Sequence, residues 1–207
     1  MRSADAVVYF EGREVRPSKI LCVGRNYVEH IAELGNEIPE QMVVFNKPPS
    51  SISAKLKAFH GEPLHYEAEI ALLIGSSGFE AVAPGIDLTR RQLQSQLKAS
   101  GLPWERAKAF DGAAVFGEFV ACDQLPEHCT LELQINGSRA QYGSVAQMLY
   151  KPADILQELA TYTTLLPGDI VMTGTPSGVG QVQPGDAFSA RIERDGQLLA
   201  EAGWVAV

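Results

Sequence analysis

The sequence predicts a β-rich α+β domain, and three observations predict it. Short apolar runs outnumber helical stretches. The two kinds do not alternate as a doubly wound parallel sheet requires. Turn pairs such as Glu11-Gly12, Asn136-Gly137 and Asp195-Gly196 stand between apolar runs, where tight hairpins form. No repeat, low-complexity tract or linker divides the 207 residues, so 1–207 reads as a single domain, with residues 1–19 a small N-terminal β extension.

The elements follow in order. Ala6–Phe10 and the segment after Glu11-Gly12 form the first hairpin. Ile20–Val23 is an apolar strand ending at Gly24, and Asn26 caps a short helix through Leu34 that stops at Gly35. Met42–Phe45 is a strand closed by Pro48-Pro49, Leu64–Ile74 is a long strand, and Asp87–Ala99 is helical, ending before Gly101. Leu131–Ile135 and Ser138–Gln141 flank Asn136-Gly137, the strongest hairpin signal in the chain. Pro152–Leu165 is helical with proline in its first turn, and Ile170–Thr173 is a buried strand. Ala187–Val207 is a strand pair around Asp195-Gly196.

Composition narrows the function. Lys plus Arg number 17 against 25 Asp plus Glu, a formal charge of −8 with no local basic cluster, which argues against a nucleic-acid partner. No apolar run reaches the ~20 residues of a membrane helix, and Met1–Phe10 lacks the pattern of a signal peptide. Three cysteines, Cys22, Cys122 and Cys129, are too few for a disulfide framework and point to the cytoplasm. Cys122, His128 and Cys129 match no zinc spacing, and Cys22 reads as an inert strand cysteine.

Leu64–Ile74 is the most informative stretch. Alternation along a strand puts Glu67 and Glu69 on one face beside His65, and Tyr66, Ala68, Ile70, Leu72 and Ile74 on the other. Two buried carboxylates side by side repel and lose hydration, a conflict that a hard divalent cation resolves. By spacing alone, the wet side of a half-exposed sheet is the commoner reading. Other candidates share this ambiguity. His30 and Glu33 lie three apart on one helical face, as a base and its orienting carboxylate or as a surface pair. Asp87 is a helix cap or a ligand, and Lys108 a snorkelling surface lysine or a pocket residue. Thr173-Gly174-Thr175-Pro176 with Gly178 and Gly180 is a glycine-rich loop without the ending of a P-loop.

The order of these pieces resembles the fumarylacetoacetate hydrolase family. Cys22-Val23-Gly24-Arg25-Asn26-Tyr27, His30 and Glu33, and Phe45-Asn46-Lys47-Pro48 come first. Then come Tyr66-Glu67-Ala68-Glu69, Asp87-Leu88-Thr89-Arg90-Arg91 with Gln94, Gly101-Leu102-Pro103-Trp104 with Ala107-Lys108, and finally Thr173 through Gly180. The resemblance spans roughly residues 20–186 and implies the family's mixed β-roll with short helices, usually a homodimer. It implies Mg²⁺ or Mn²⁺ on Glu67, Glu69 and Asp87, a catalytic dyad of His30 and Glu33 on a lid helix, and Lys108 and Gln94 lining the pocket. Arg25 and Thr175 would help to hold the substrate.

The activity so implied is hydrolysis of a C–C bond in an acylpyruvate, a small-molecule 2-oxo acid substrate, through a pyruvate enolate stabilised by the metal. Alternatives on the same scaffold are an oxaloacetate decarboxylase or tautomerase and an isomerase of aromatic catabolism. An inactive metal- or metabolite-binding protein is the alternative of another class. One departure stands out. Only Gly75–Ile86 separates the Glu-x-Glu strand from Asp87, where the family pattern carries an additional helix and strand start. A true shortening there would call Asp87 into question as a ligand.

Overall fold

Three hairpins close on pairs of residues with left-handed backbone: Glu11-Gly12 (φ 49° and 72°), Asn136-Gly137 (51° and 78°) and Asp195-Gly196 (56° and 71°). Positive φ at both central residues is what a two-residue turn needs to match the twist of its strands, so these sequence signals become structure directly. The computed structural model describes residues 6–33 and 39–207, except the side chains of residues 30–32.

The principal sheet is curled into a half-barrel. Its strand order is Val43–Lys47, Ile20–Gly24, Ile170–Met172, Ala68–Ile74, Phe79–Asp87 and Ala114–Phe116, with Val120–Ala121 also pairing to Phe79–Asp87. Ile170–Met172 runs parallel to Ile20–Gly24, and the other pairings are antiparallel. A second sheet, Ser138–Ser144, Thr130–Ile135, Ala187–Arg194 and Gln197–Val205, packs against it.

Alternation sorts the core. Ala68, Ile70, Leu72 and Ile74 join the larger apolar cluster with Leu131, Leu133, Phe188 and Ile192 of the second sheet. Ala71 and Leu73 join a separate cluster with Ile20, Cys22, Ala81, Ala83 and Met172. Burying apolar residues on both faces of one strand explains why the run reads as continuously hydrophobic. The N-terminal hairpin packs on that second cluster through Val8, and the Tyr9 carbonyl accepts the Phe119 N–H at 2.8 Å.

Several expected boundaries shift. The long strand breaks at Glu67, giving His65–Tyr66 and Ala68–Ile74, because His65 pairs outward to Gln181 and Thr89. The Asp87 helix begins only at Arg91, and Asp87 ends a strand instead of capping a helix. Pro152–Leu165 is helical only over Pro152–Ala160. Asn26 does not cap the helix Val28–Glu33. Its amide donates to the carbonyls of Tyr150 (3.0 Å) and Thr173 (2.8 Å), and its oxygen accepts the Tyr150 N–H (2.8 Å), clamping three segments together. The expected helix end at Leu34 and stop at Gly35 lie outside the described residues. The short Gly75–Ile86 connection is a complete hairpin arm: Gly75 and Gly78 close the turn at 2.7 Å, and Phe79–Asp87 pairs directly back along Ala68–Ile74.

Candidate active site

Register alone assembles three carboxylates. Glu69 stands opposite Gly85, and the Asp87 N–H donates to the Glu67 carbonyl at 2.8 Å, so Asp87 lies across from Glu67. Glu69 and Asp87 share the side of Ala71, Ala81 and Ala83, since each is an even number of residues away along its strand. A Cβ at Gly85 would come within 2.9 Å of the Phe116 ring and 3.3 Å of Met172, so glycine lets those side chains pack over the strand opposite Glu69. On the other flank Met172 pairs with Ala71, which carries Gly174 alongside Glu69, and the Gly174 N–H donates to the Glu69 Oε2 at 2.7 Å. Gly174 has a φ of 96°, and a Cβ there would meet the Asn26 Cβ at 2.8 Å and the Val23 carbonyl at 3.0 Å, so the loop requires glycine.

Ligand oxygens of Glu67, Glu69 and Asp87 all lie within 4.8 Å of one another, and all three residues are buried. Burial, reinforced by Asp87 and Glu67, pushes the Glu69 carboxyl well above its ordinary range. Cations offset the crowding. Lys108 Nζ donates to Glu67 Oε2 (2.7 Å), Asp87 Oδ2 (2.8 Å) and the Thr89 hydroxyl (2.7 Å). Burial by itself would lower the Lys108 ammonium, but Asp87 and Glu67 outweigh it and hold the group charged. Lys47, fully buried, pairs with Asp87 Oδ1 at 2.8 Å and donates to the carbonyls of Lys108 and Ala113. Arg91 pairs with the remaining Glu67 oxygen and donates to Gln94 Oε1 at 2.8 Å. Three closely spaced oxygen donors, one of them costly to ionise, are a donor set that fits a hard divalent cation.

Glu67 and Glu69 open into a pocket. Its wall includes Arg25, Phe45, Arg91, Gln94, Lys98, Trp104 and Thr175 beside Glu67, Glu69 and Lys108. Arg91, Gln94 and Lys98 are spaced i, i+3, i+7 on one helix and so share a face. The Thr175 hydroxyl accepts from Gln141 Nε2 at 2.8 Å, while Gln141 Oε1 accepts the Ala68 N–H at 2.9 Å, tying the glycine-rich loop to the carboxylate strand. Arg25 sits at a φ of 57°, an uncommon backbone for a residue other than glycine and one that clusters at functional sites.

With this geometry in view, comparison with known proteins is decisive. The Fumarylacetoacetate (FAA) hydrolase C-terminal profile matches residues 19–201. The chain belongs to the fumarylacetoacetate hydrolase family. It is 35% identical to oxaloacetate tautomerase YcgM of Escherichia coli (strain K12), covering 85% of this chain and 89% of that protein. It is 36% identical to the mitochondrial oxaloacetate tautomerase oaa1 of Schizosaccharomyces pombe, covering 86% and 89%. Fumarylpyruvate hydrolase from Pseudomonas aeruginosa, solved with Mn²⁺ and pyruvate, superposes with a TM-score of 0.88 at 30% identity, covering 100% of this chain and 97% of that one. Family relatives are thus enzymes of more than one reaction type, and the fold expected from the motif order is the one found.

Of the residues expected to form a family site, the structure brings Glu67, Glu69, Asp87, Lys108, Gln94, Arg25 and Thr175 together. Asp87 reaches the triad despite the short connection before it, because Phe79–Asp87 supplies the strand the triad needs. Glu33 lies apart from the pocket wall, on the glycine-rich loop, where its carboxylate accepts the Gly178 N–H at 3.0 and 3.2 Å. The helix Val28–Glu33 contains His30, whose side chain lies outside the described residues. Lys47, Arg91 and Trp104 lie within the sequence motifs without a role assigned by them, and Lys98 and Gln141 lie outside those motifs. The i, i+3, i+7 spacing of Arg91, Gln94 and Lys98 was the available signal for Lys98. Gln141 had none, because its role depends on the second sheet meeting the first. Among the described residues, no helix is long and apolar enough to cross a membrane.

Proposed function

We propose that this protein is a divalent-metal-dependent enzyme that shifts a proton at C3 of a small 2-oxo acid of the oxaloacetate type. The observation that carries this reading is the buried triad of Glu67, Glu69 and Asp87, faced by Lys108 at 2.7 and 2.8 Å. Glu67, Glu69 and Asp87 would hold Mg²⁺ or Mn²⁺, which when bound supplies Lewis-acid polarisation of the 2-oxo group. Lys108 supplies charge in this reading: its ammonium, held by Glu67, Asp87 and Thr89, sets a fixed positive charge beside the developing enolate. Arg91 and Gln94 bind the substrate carboxylate as donors, and the Thr175 hydroxyl, oriented by Gln141, fixes the chain beyond it. The relatives named as oxaloacetate tautomerases support this choice of reaction.

Hydrolysis of an acylpyruvate is the second reading. It is favoured by the bond from Gly178 to Glu33, which ties the helix carrying His30 to the loop that contains Thr175. The similarity to a fumarylpyruvate hydrolase points the same way. In that reading His30, oriented by Glu33, deprotonates the attacking water.

One experiment tests both. Chelator-treated protein is assayed before and after Mg²⁺ or Mn²⁺ for oxaloacetate keto–enol exchange, CO₂ release, and cleavage of acetylpyruvate and fumarylpyruvate. Metal-restored keto–enol exchange that is lost in Glu69→Gln supports the first reading. Cleavage that is lost in His30→Gln and in Glu33→Gln selects the second. Metal binding without turnover of any of these substrates would refute both and leave an inactive scaffold.

A further inference from the structure

The helix that presents Arg91 and Gln94 to the pocket starts unfavourably by its own sequence. Its N-cap residue, Arg90, makes no side-chain cap, and its first turn holds no acidic residue. Arg90 and Arg91 instead place two cations at the end where the helix dipole is positive. The first N–H groups of any helix also need acceptors from outside it. Glu62 supplies one from thirty residues back along the chain. Its Oε1 accepts the N–H of Gln92 at 2.8 Å and of Leu93 at 3.3 Å. Those are the second and third helical residues, the two that a local cap would serve. The other oxygen, Oε2, lies 3.7 Å from Arg90 Nε and offsets part of the positive charge.

The surrounding chain fixes this approach. The turn carrying Glu62 closes where the Leu64 N–H donates to the Ala58 carbonyl at 2.9 Å. Gly61, at a φ of 74°, lets that turn pass against the Arg90 guanidinium, which a Cβ would meet at 3.2 Å. Just beyond, His65 and Thr89 exchange both backbone bonds at 2.9 Å, setting the strand that leads to Glu67 beside the chain entering the helix. His60 stacks on Phe110 with ring centroids 4.7 Å apart, which anchors the turn next to the segment of Lys108.

We propose that Glu62 is a positioning residue: by capping this helix from outside, it holds Arg91 and Gln94 where they meet the substrate carboxylate. This rests on the functional reading above, which gives those two side chains that role. Arg91 is the first helical residue, so a frayed first turn displaces it before the other donors of that helix face. It also pairs with Glu67, so the same fraying loosens a cation of the triad. Glu62 acts through them from outside the pocket wall.

Two variants test this. Glu62→Ala removes the cap, whereas Glu62→Gln keeps a carbonyl oxygen that can accept the same two N–H groups. Three quantities are read in each: amide hydrogen exchange at Gln92 and Leu93 without metal, calorimetric pyruvate affinity of the Mn²⁺-loaded protein, and KM and kcat for oxaloacetate keto–enol exchange. Losing a cap favours opening of the first turn by roughly threefold to thirtyfold. In Glu62→Ala, exchange at both amides should quicken by that factor, pyruvate binding should weaken, and KM should rise more than kcat falls. Glu62→Gln should recover most of each loss. Faster exchange with pyruvate affinity and KM unchanged would overturn the proposal, since the cap would then have no hold on substrate. Unchanged exchange in Glu62→Ala, or a Glu62→Gln protein as impaired as Glu62→Ala, would overturn it too. Wild type that binds no pyruvate would refute the functional reading instead, and exchange at Gln92 and Leu93 would still decide whether Glu62 is the cap.

Discussion

Replacing Glu69 with glutamine should stabilise the metal-free protein while removing its ability to be stabilised by metal. Glu69 is 2% exposed, and its neighbours Glu67 and Asp87 present oxygens within 4.8 Å. At an effective dielectric near 20, two like charges at that separation repel by about 3.5 kcal/mol. Glu69 meets two such neighbours and is only partly relieved by Lys108 and the Gly174 N–H. Instead of ionising at this cost, the folded protein keeps the proton, so its carboxyl titrates well above the ordinary 4.5. The folded state then binds more protons than the unfolded state, and stability falls as pH rises from the ordinary carboxylate range toward the raised folded value. Glutamine keeps the oxygen that accepts from Gly174 and removes the charge. After the desolvation of its buried amide, a gain of about 2 kcal/mol remains, or about 4–8 °C in Tm for a chain of this size. Thermal melts of chelator-treated wild type and Glu69→Gln across pH 5 to 8 read this directly. The variant's advantage should open with rising pH. Mn²⁺ at a hundred times its Kd should raise the wild type by about 2.7 kcal/mol and leave the variant nearly unmoved. A Glu69→Gln protein that melts lower than wild type without metal, or gains as much from Mn²⁺, would refute the crowded-carboxylate argument.

Three further outcomes follow from the same geometry. Lys47→Met leaves Asp87 buried without the partner of one oxygen and should cost about 3–5 kcal/mol in chemical denaturation; a loss under 1 kcal/mol would mean that Asp87 does not depend on Lys47. Gly174→Ala forces a Cβ to 2.8 Å from Asn26 at a positive φ, so it should cost about 1–3 kcal/mol and weaken Mn²⁺ binding by displacing the N–H on Glu69. Calorimetric Mn²⁺ titration of the folded variant checks the second part, and unaltered affinity would separate the loop from the metal site. Gln141→Leu should raise KM more than it lowers kcat, because it frees the Thr175 hydroxyl and the 173–176 loop while Lys47, Lys108 and Arg91 stay on the triad; steady-state kinetics showing a loss confined to kcat would contradict that role.

Much of the site was legible before any coordinates. Period-two alternation put Glu67 and Glu69 on one side of a buried strand, and the left-handed turn pairs fixed three hairpins, because both are local backbone rules. The ordered motif set supplied the fold, the three carboxylates that converge and several residues of the pocket wall. The unread parts are non-local. From its neighbours Asp87 reads as a helix cap or a ligand; the motif order groups it with Glu67 and Glu69, and the pairing between Phe79–Asp87 and Ala68–Ile74 is the physical reason they meet. Asn26 likewise reads as a cap, and only the return of the chain at Tyr150 and Thr173 turns its amide into a clamp.

The sequence by itself determined that two carboxylates would share one face of an apolar strand and that a glycine-rich loop would follow another; only the tertiary structure buried that face. Tertiary structure decided which cations meet them. Lys47 and Lys108 are ordinary lysines in sequence, and no rule of spacing marks them as buried. They are charged in the interior because strands and a short helix far apart in the chain converge on Asp87, where a buried carboxylate without a partner would be too costly to ionise.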